Sequence, residues 1–284
     1  MASFTNQATL SYNGVSVNSN VVTGQMISPL SLTKTAVEDV YAPGDTVAYV
    51  ISLVNDGSVS YDDLTLTDDL GGYEIGTGTA YPLSYVDDSL RYFINGVPQS
   101  ALAVSPGSPL VITGISVPAG GNAMLVYETE VTAAAPLTAG SCITNTATVS
   151  GDGLSTPLEA SARICVQTGA ELSIVKSLFP TTVTPNGQLC YSFSIQNYGN
   201  EAAGADAGIT VSDLFDPILK NISVMLDGQP LSLGTDYSYD QSSGKFDTVA
   251  GGMTVPAATY AQTASTGDWV VTPGEVTLVV QGTV

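Results

Sequence analysis

The segments PGDTVAYVISLVNDG (Pro43–Gly57) and PNGQLCYSFSIQNYG (Pro185–Gly199) are two copies of one pattern. In the first, Val47, Tyr49, Ile51 and Leu53 alternate with Ala48, Val50 and Ser52. In the second, Leu189, Tyr191, Phe193 and Ile195 alternate with Cys190, Ser192 and Ser194. A period of two puts successive side chains on opposite faces of an extended chain, so each segment reads as a half-buried β-strand. The neighbours of the two copies also correspond, in the same order. LSLTK (Leu30–Lys34) matches LSIVK (Leu172–Lys176), and LTLTDDL (Leu64–Leu70) matches ITVSDLF (Ile209–Phe215). FINGVP (Phe93–Pro98) matches MLDGQP (Met225–Pro230), and AMLVYETEV (Ala123–Val131) matches TLVVQGTV (Thr277–Val284). Gly and Pro punctuate at short intervals and no amphipathic helix pattern intervenes. The repeat predicts an all-β chain of two tandem immunoglobulin-like antiparallel sandwiches.

Composition narrows the functions. The 284 residues hold 26 Asp and Glu against 6 Lys and Arg, a net charge of −20. Such a surface repels phosphate backbones and anionic lipid, so neither nucleic acid nor membrane is expected as a partner. Charged residues make up only 11% of the chain, against about 25% in an average soluble domain. At 44% hydrophobic the chain has ample material for packed cores. There is no histidine, which removes Ser-His and Cys-His nucleophiles and His-based metal sites. No enzyme activity and no cofactor are expected. No apolar run approaches the ~20 residues that span a bilayer. The opening MASFTNQATLSYNG has neither the basic nor the apolar region of a signal peptide.

The second copy ends with TLVVQGTV at Val284, whereas the first continues into CITNTATVSG (Cys142–Gly151) and a return strand LEASARICV (Leu158–Val166). A sandwich without its last two strands exposes an apolar groove and unpaired edges. The N-terminus supplies a matching piece: SFTNQATLSY (Ser3–Tyr12) reads against Cys142–Gly151. Asn13-Gly14 is a strong two-residue hairpin signal, and VSVNSNVVTG (Val15–Gly24) reads against the return strand. The expected organisation is a donor hairpin and connector (1–26), a complete sandwich one (27–168) and a sandwich two lacking its last strands (169–284). The hairpin could complete sandwich two of a neighbouring subunit, fold back onto its own, or add to sandwich one. The connector at residues 24–29 reaches only about 20 Å, which favours the neighbour and a head-to-tail homopolymer.

Both copies resemble the bacterial conserved-repeat domain known as domain of unknown function eleven. The resemblance rests on LSLTK, PGDTVAYVISLVNDG, LTLTDDL and ITNTATVSG in that order, over about four fifths of the chain. The second copy departs from it, with Asn186-Gly187 in place of Gly-Asp and no Asn-Thr-Ala strand. The resemblance implies a structural role at a cell wall, cell surface or spore surface, with other proteins of that surface as further partners. With no signal peptide visible and a strand-donating N-terminus, a spore-associated appendage or coat fibre is the expected setting. An adhesin-type module recognising a glycan or host protein is the rival reading, and Tyr73, Tyr81, Tyr85, Tyr237 and Tyr239 are its candidate contacts.

Strand parity singles out one group of side chains. Lys34 shares a face with Leu30 and Leu32, Asp68 with Leu64 and Leu66, and Asn145 with Ile143, Ala147 and Val149. Lys176 and Asp213 repeat the first two, and Asn6 shares a face with Phe4, Ala8 and Leu10. Lys34 and Lys176, two of only six basic residues, thus point at equivalent places toward a core, where charge is costly unless paired. Desolvation favours a neutral, nucleophilic amine and a protonated acid, the state required for a Lys–Asn isopeptide bond. The set resembles the pilin and adhesin domains of Gram-positive surface proteins, where a first-strand Lys meets a last-strand Asn. It assigns Lys34, Asp68 and Asn145 to sandwich one, and Lys176, Asp213 and a donated Asn6 to sandwich two. A buried Lys–Asp ion pair with Asn beside it, or a lysine snorkelling to solvent, are the plainer alternatives.

Of the three cysteines, Cys142 and Cys165 face outward across one hairpin in a register that allows a disulfide. Cys190 is left over on a polar face, as a free thiol or an intersubunit bridge. The doublets Asp62-Asp63, Asp68-Asp69 and Asp87-Asp88 lack calcium-loop spacing and read as solvated loops, and no metal site is expected.

Overall fold

The computed structural model describes residues 2–26 and 29–284. It is an all-β chain of antiparallel sheets with one short 3₁₀ turn at Ala205–Ala207 among the described residues. Two compact units divide it. One gathers Met1–Glu74, Tyr81–Thr132 and Ile143–Ile164; the other gathers Ile75–Ala80, Ala133–Cys142 and Cys165–Val284.

The N-terminal arm consists of β1 (Ala2–Asn6), β2 (Thr9–Tyr12), β3 (Val15–Asn18) and β4 (Val22–Met26). Asn13 and Gly14, at φ +46° and +79°, form the tight turn between β2 and β3. Leu10 opposes Val17, and farther out Asn6 opposes Val22 and Phe4 opposes Gly24. A side chain at Gly24 would collide with the Phe4 ring, which lies over it. Residues 7 and 8 interrupt the strand, so Asn6 and Leu10 sit on separate two-stranded ladders. Every side chain from Ser3 to Thr23 is exposed, including Phe4, Leu10, Tyr12, Val15, Val17 and Val22.

Sandwich one begins with β5 (Leu30–Ala36), β6 (Val40–Tyr41), β7 (Thr46–Asn55), β8 (Tyr61–Asp68), β9 (Tyr73–Ile75), β10 (Gly78–Ala80) and β11 (Leu83–Tyr85). It continues with β12 (Arg91–Ile94), β13 (Val97–Pro98), β14 (Ala103–Ser105), β15 (Leu110–Val117), β16 (Asn122–Val131), β17 (Cys142–Ser150) and β18 (Leu158–Val166). One sheet runs β13-β12-β16-β7-β5 with β11 beside β16; the other runs β14-β15-β8-β17-β18-β6. The alternation read in the sequence is the core: Val47, Tyr49, Ile51 and Leu53 of β7 are fully buried, as are Leu64, Leu66, Leu125 and Tyr127.

Sandwich two contains β19 (Leu172–Phe179), β20 (Gln188–Asn197), β21 (Ser212–Leu214), β22 (Lys220–Leu226) and β23 (Gln229–Pro230). They are followed by β24 (Tyr237–Asp240), β25 (Lys245–Thr248), β26 (Thr259–Gln262), β27 (Trp269–Thr272) and β28 (Gly274–Thr283). The larger sheet runs β19-β20-β28-β22-β23, the facing one only β21-β25-β24, and β26 and β27 form a separate ladder. Leu189, Tyr191, Phe193 and Ile195 are buried with Phe215, Phe246 and Leu278.

The Asn-x-Gly motif has the same function in both copies. Asn55 and Asn197 are fully buried; each donates through Nδ2 to loop carbonyls and accepts through Oδ1 from the amide of Gly57 or Gly199. Gly199 is required because the carbonyl oxygen of Gly169 lies 2.2 Å from where a Cβ would stand.

Candidate functional site

In sandwich one, Lys34 stands on β5 of one sheet, and Asp68 and Asn145 stand on β8 and β17 of the facing sheet. Lys34 Nζ donates to Asp68 Oδ2 at 2.6 Å, with both side chains wholly out of solvent. The Tyr127 hydroxyl donates to the same oxygen, and the amide of Leu70 donates to Oδ1 at 2.9 Å. Lys34 Nζ also lies 4.8 Å from the centre of the Tyr49 ring. Burial lowers the Lys34 pKa from its usual 10.5, with Asp68 pulling the other way, so the amine is moved toward its nucleophilic neutral form.

Asn145 is fully buried, and neither polar atom of its carboxamide has a hydrogen bond; the Tyr49 hydroxyl is likewise buried and unpaired. Burial raises the Tyr49 phenol while the adjacent carboxamide opposes that shift, so the two groups are neighbours without good hydrogen-bond geometry. An unpaired buried amide is costly, of the order of 1–3 kcal/mol. Its strand is held beside it: Asp69 Oδ1 accepts from the Thr146 amide at 2.8 Å and from the Gly71 amide at 2.9 Å. The Asp68-Asp69 doublet is therefore committed to internal partners rather than forming a solvated loop. Among the described residues, no group of three or more His, Cys, Asp or Glu is placed to hold a metal ion.

In sandwich two the same pair forms without its cover. Lys176 Nζ meets Asp213 Oδ2, but the two side chains are 41% and 16% exposed. The amide of Leu214 donates to Asp213 Oδ1 at 2.9 Å. Lys176 Nζ lies over three rings, at 4.6 Å from Tyr191, 5.4 Å from Phe193 and 5.5 Å from Phe215. In sandwich one, β8 is flanked by β15 and β17, with Asp68 opposite Leu110 on one side and Ala147 on the other. Its counterpart β21 has β25 on one side and, among the described residues, no strand on the other. The bare edge opens a groove of about 360 Å³ along Ile174, Lys176, Phe193, Val211 and Asp213. Strand β19 is exposed along its whole length, with Ile174 at 54% where its counterpart Leu32 is half-buried. Asn6 is exposed on the arm opposite Val22, and the structure does not bring it to Lys176.

Cys142 and Cys165 are joined by a disulfide. Cys190 is a free, half-buried thiol on β20 that accepts a weak hydrogen bond from Gln281 Nε2 at 3.8 Å. Of the tyrosines considered as adhesive contacts, Tyr237 is buried, Tyr239 bonds Leu219 through its hydroxyl, and Tyr73, Tyr81 and Tyr85 are half-buried. None of the five is exposed. Tyr127 did not stand out in the sequence, yet aligning Ala123–Val131 with Thr277–Val284 puts it opposite Val280, the signal that one copy carries a hydroxyl the other lacks.

No family model matches the chain, and no curated protein matches it. Solved structures do show similarity. One is the pilus backbone protein of Streptococcus pneumoniae, at 12% identity and TM-score 0.36, over 86% of this chain and 55% of that one. A second is the collagen-binding domain of a Staphylococcus aureus adhesin, at 13% identity and TM-score 0.29, over 49% and 99%. A third is the collagen-binding subdomain of an Enterococcus faecalis surface protein, at 9% identity and TM-score 0.32, over 50% and 99%.

Proposed function

We propose that the chain is a structural subunit of a fibre at the bacterial spore or cell surface. Each subunit donates its N-terminal hairpin (1–26) to the open groove of sandwich two (169–284) in the next, while sandwich one (27–168) is complete in itself. The observation that carries this reading is the bare edge of β21 beside Lys176 and Asp213, where sandwich one has the Asn145 strand. The arm bears a second copy of that strand, FTNQATL against ITNTATV, with its apolar side chains in solvent. Placing Asn6 at the position of Asn145 puts Ala8 opposite Asp213, as Ala147 is opposite Asp68. Burying Ile174 and the arm's Phe4 and Leu10 together drives docking at about 25 cal/mol per Å². A plug and a socket on different surfaces do not close on themselves, so the product is a filament.

Isopeptide bonds then lock the structure. The lysine Nζ attacks the asparagine Cγ, a C–N bond forms, the bond to Nδ2 breaks, and ammonia leaves after the aspartic acid passes a proton from Nζ to Nδ2. The bond is Lys34–Asn145 within a subunit and Lys176–Asn6 between subunits. Condensation also accounts for the unpaired Asn145 carboxamide, which it consumes. Wild-type polymers are expected to survive boiling SDS with reductant as ladders. Asn6→Ala, Lys176→Ala and Asp213→Ala each collapse the ladder, whereas Lys34→Ala keeps it and changes only the stability of sandwich one and its mass deficit of about 17 Da. Filaments that melt wholly to monomers in hot SDS would leave strand donation standing and remove the intersubunit bond.

A further inference from the structure

We infer that Tyr127 is a positioning residue for the Lys34–Asn145 condensation, and that Val280 in its place makes the Lys176 site the slower of the two, so a subunit closes itself before it is joined to the next. The inference rests on the condensation proposed above. Tyr127 on β16 pairs with Tyr49 of β7, and Val280 on β28 pairs with Tyr191 of β20. The two positions are equivalent and both side chains are fully buried. Only Tyr127 carries a hydroxyl, and it is spent on Asp68 Oδ2, the oxygen that also takes the Lys34 ammonium. With the Leu70 amide on Oδ1, three donors fix the Asp68 carboxyl in place and in plane. Asp213 has two, Lys176 and the Leu214 amide.

The carboxyl must take a proton from Nζ and return it to the departing Nδ2 without turning away between the transfers. A donor from a third direction, bound to neither reacting group, holds it through both. Burial raises the Tyr127 phenol well above its usual range, so it remains a donor throughout. A separate feature slows the other site. Lys176 is surrounded by Tyr191, Phe193 and Phe215, two of which replace Ile51 and Leu70 of sandwich one. Ring faces attract an ammonium and give little to a neutral amine, so forming the nucleophile there forfeits contacts that Lys34 makes only with Tyr49.

The test starts from full-length chain recovered in urea from inclusion bodies, its intact mass showing that no ammonia has been lost, and diluted into buffer. Folding is followed by near-UV circular dichroism and bond formation by intact mass and SDS-stable oligomers. Concentrations are raised until the oligomer rate no longer depends on them. The wild type is expected to lose the mass of one ammonia per subunit before SDS-stable oligomers accumulate. Tyr127→Phe keeps the ring, folds alike, and loses that mass about tenfold more slowly in protein already folded, a lag that a folding defect does not produce. Val280→Tyr combined with Phe215→Leu, which restores the space found beside Leu70, speeds the oligomers. Tyr127→Phe condensing at the wild-type rate, or oligomers locking before the monomer loses mass, overturns the inference while leaving the condensation intact. Should Tyr127→Phe fail to fold, an unchanged oligomer rate in the double variant overturns it. No mass loss at all in the wild type removes the condensation, and the inference with it.

Discussion

Sandwich one and sandwich two place a lysine and an aspartate at corresponding points of corresponding strands, yet in one the pair is sealed from water and in the other the lysine is 41% exposed. The lysine strands are both edge strands, and both lysines touch a tyrosine of the next strand. The strand cover differs: β8 lies between β15 and β17, whereas β21 has β25 on one side and, among the described residues, no strand on the other. Burial of an ion pair is thus decided here by strand count rather than by the residues forming it. Covering the pair removes Lys34 from water, which lowers its pKa and moves the amine toward its neutral form. Leaving the pair wet keeps it as an ordinary surface pair.

The harshest way to break that comparison is to remove the missing strand altogether. Deleting residues 1–24 should abolish filaments seen by negative-stain microscopy and leave monomers; filaments of normal length from the truncated chain would show that another surface joins the subunits. Next in size is the energetic contrast between the two lysines, measured by urea unfolding of that monomer carrying Asn145→Ala, in which Lys34 stays a free amine. Lys34→Ala should cost about 3–5 kcal/mol by stranding Asp68 in the core, whereas Lys176→Ala should cost about 0–1 kcal/mol. Equal costs would mean that the two sites are not distinguished by burial. Reducing the Cys142–Cys165 disulfide, whose cysteines are 23 residues apart and join β17 to β18, should lower stability by about 2–3 kcal/mol. Peptide mapping under oxidising conditions should recover the two cysteines as one linked peptide.

The smallest effect is the share of the pH dependence that Lys34 contributes in sandwich one. In Asn145→Ala, which cannot condense, the unfolded chain holds the Lys34 proton up to about its usual 10.5, while the folded chain releases it earlier. Between the two values the unfolded state binds more proton at this residue, so the Lys34 contribution to stability rises with pH through that window. Below the lowered folded value both states are protonated and the burial penalty is felt in full. Lys34→Met should remove the rise, and Lys176→Met should leave it in place.

Much of this contrast was legible in strand parity. Period two in VAYVISL and LCYSFSI gave the core faces, and the same parity put Lys34, Asp68 and Asn145 inside. The repeat also pointed to the side of β21 that, among the described residues, has no neighbouring strand. Parity was less useful where strands are short. Only Ser212–Leu214 of ITVSDLF forms a strand, and the arm breaks at residues 7 and 8, so that Asn6 and Leu10 fall on different ladders. Tyr237 and Tyr239 lie among turn residues and read as loop contacts, although YSYD alternates and buries its first tyrosine. Tyr127 escaped notice for a different reason. An aromatic on a strand is ordinary core material, and only the position of its hydroxyl, which three-dimensional pairing fixes, gives it a partner in Asp68.

The bare β21 edge and the exposed arm belong to the same chain, and that has a consequence for arithmetic. A run of n subunits built this way has n internal amides but only n − 1 between neighbours, so one socket and one plug always remain unused, at opposite tips. The two tips are chemically unlike: one presents Lys176 and Asp213 in an open cleft, the other Asn6 on a loose hairpin. Growth at either tip consumes and regenerates the same feature, so length has no intrinsic stop. Under the proposed assembly, a terminator would be a molecule that carries the plug without the socket or the socket without the plug.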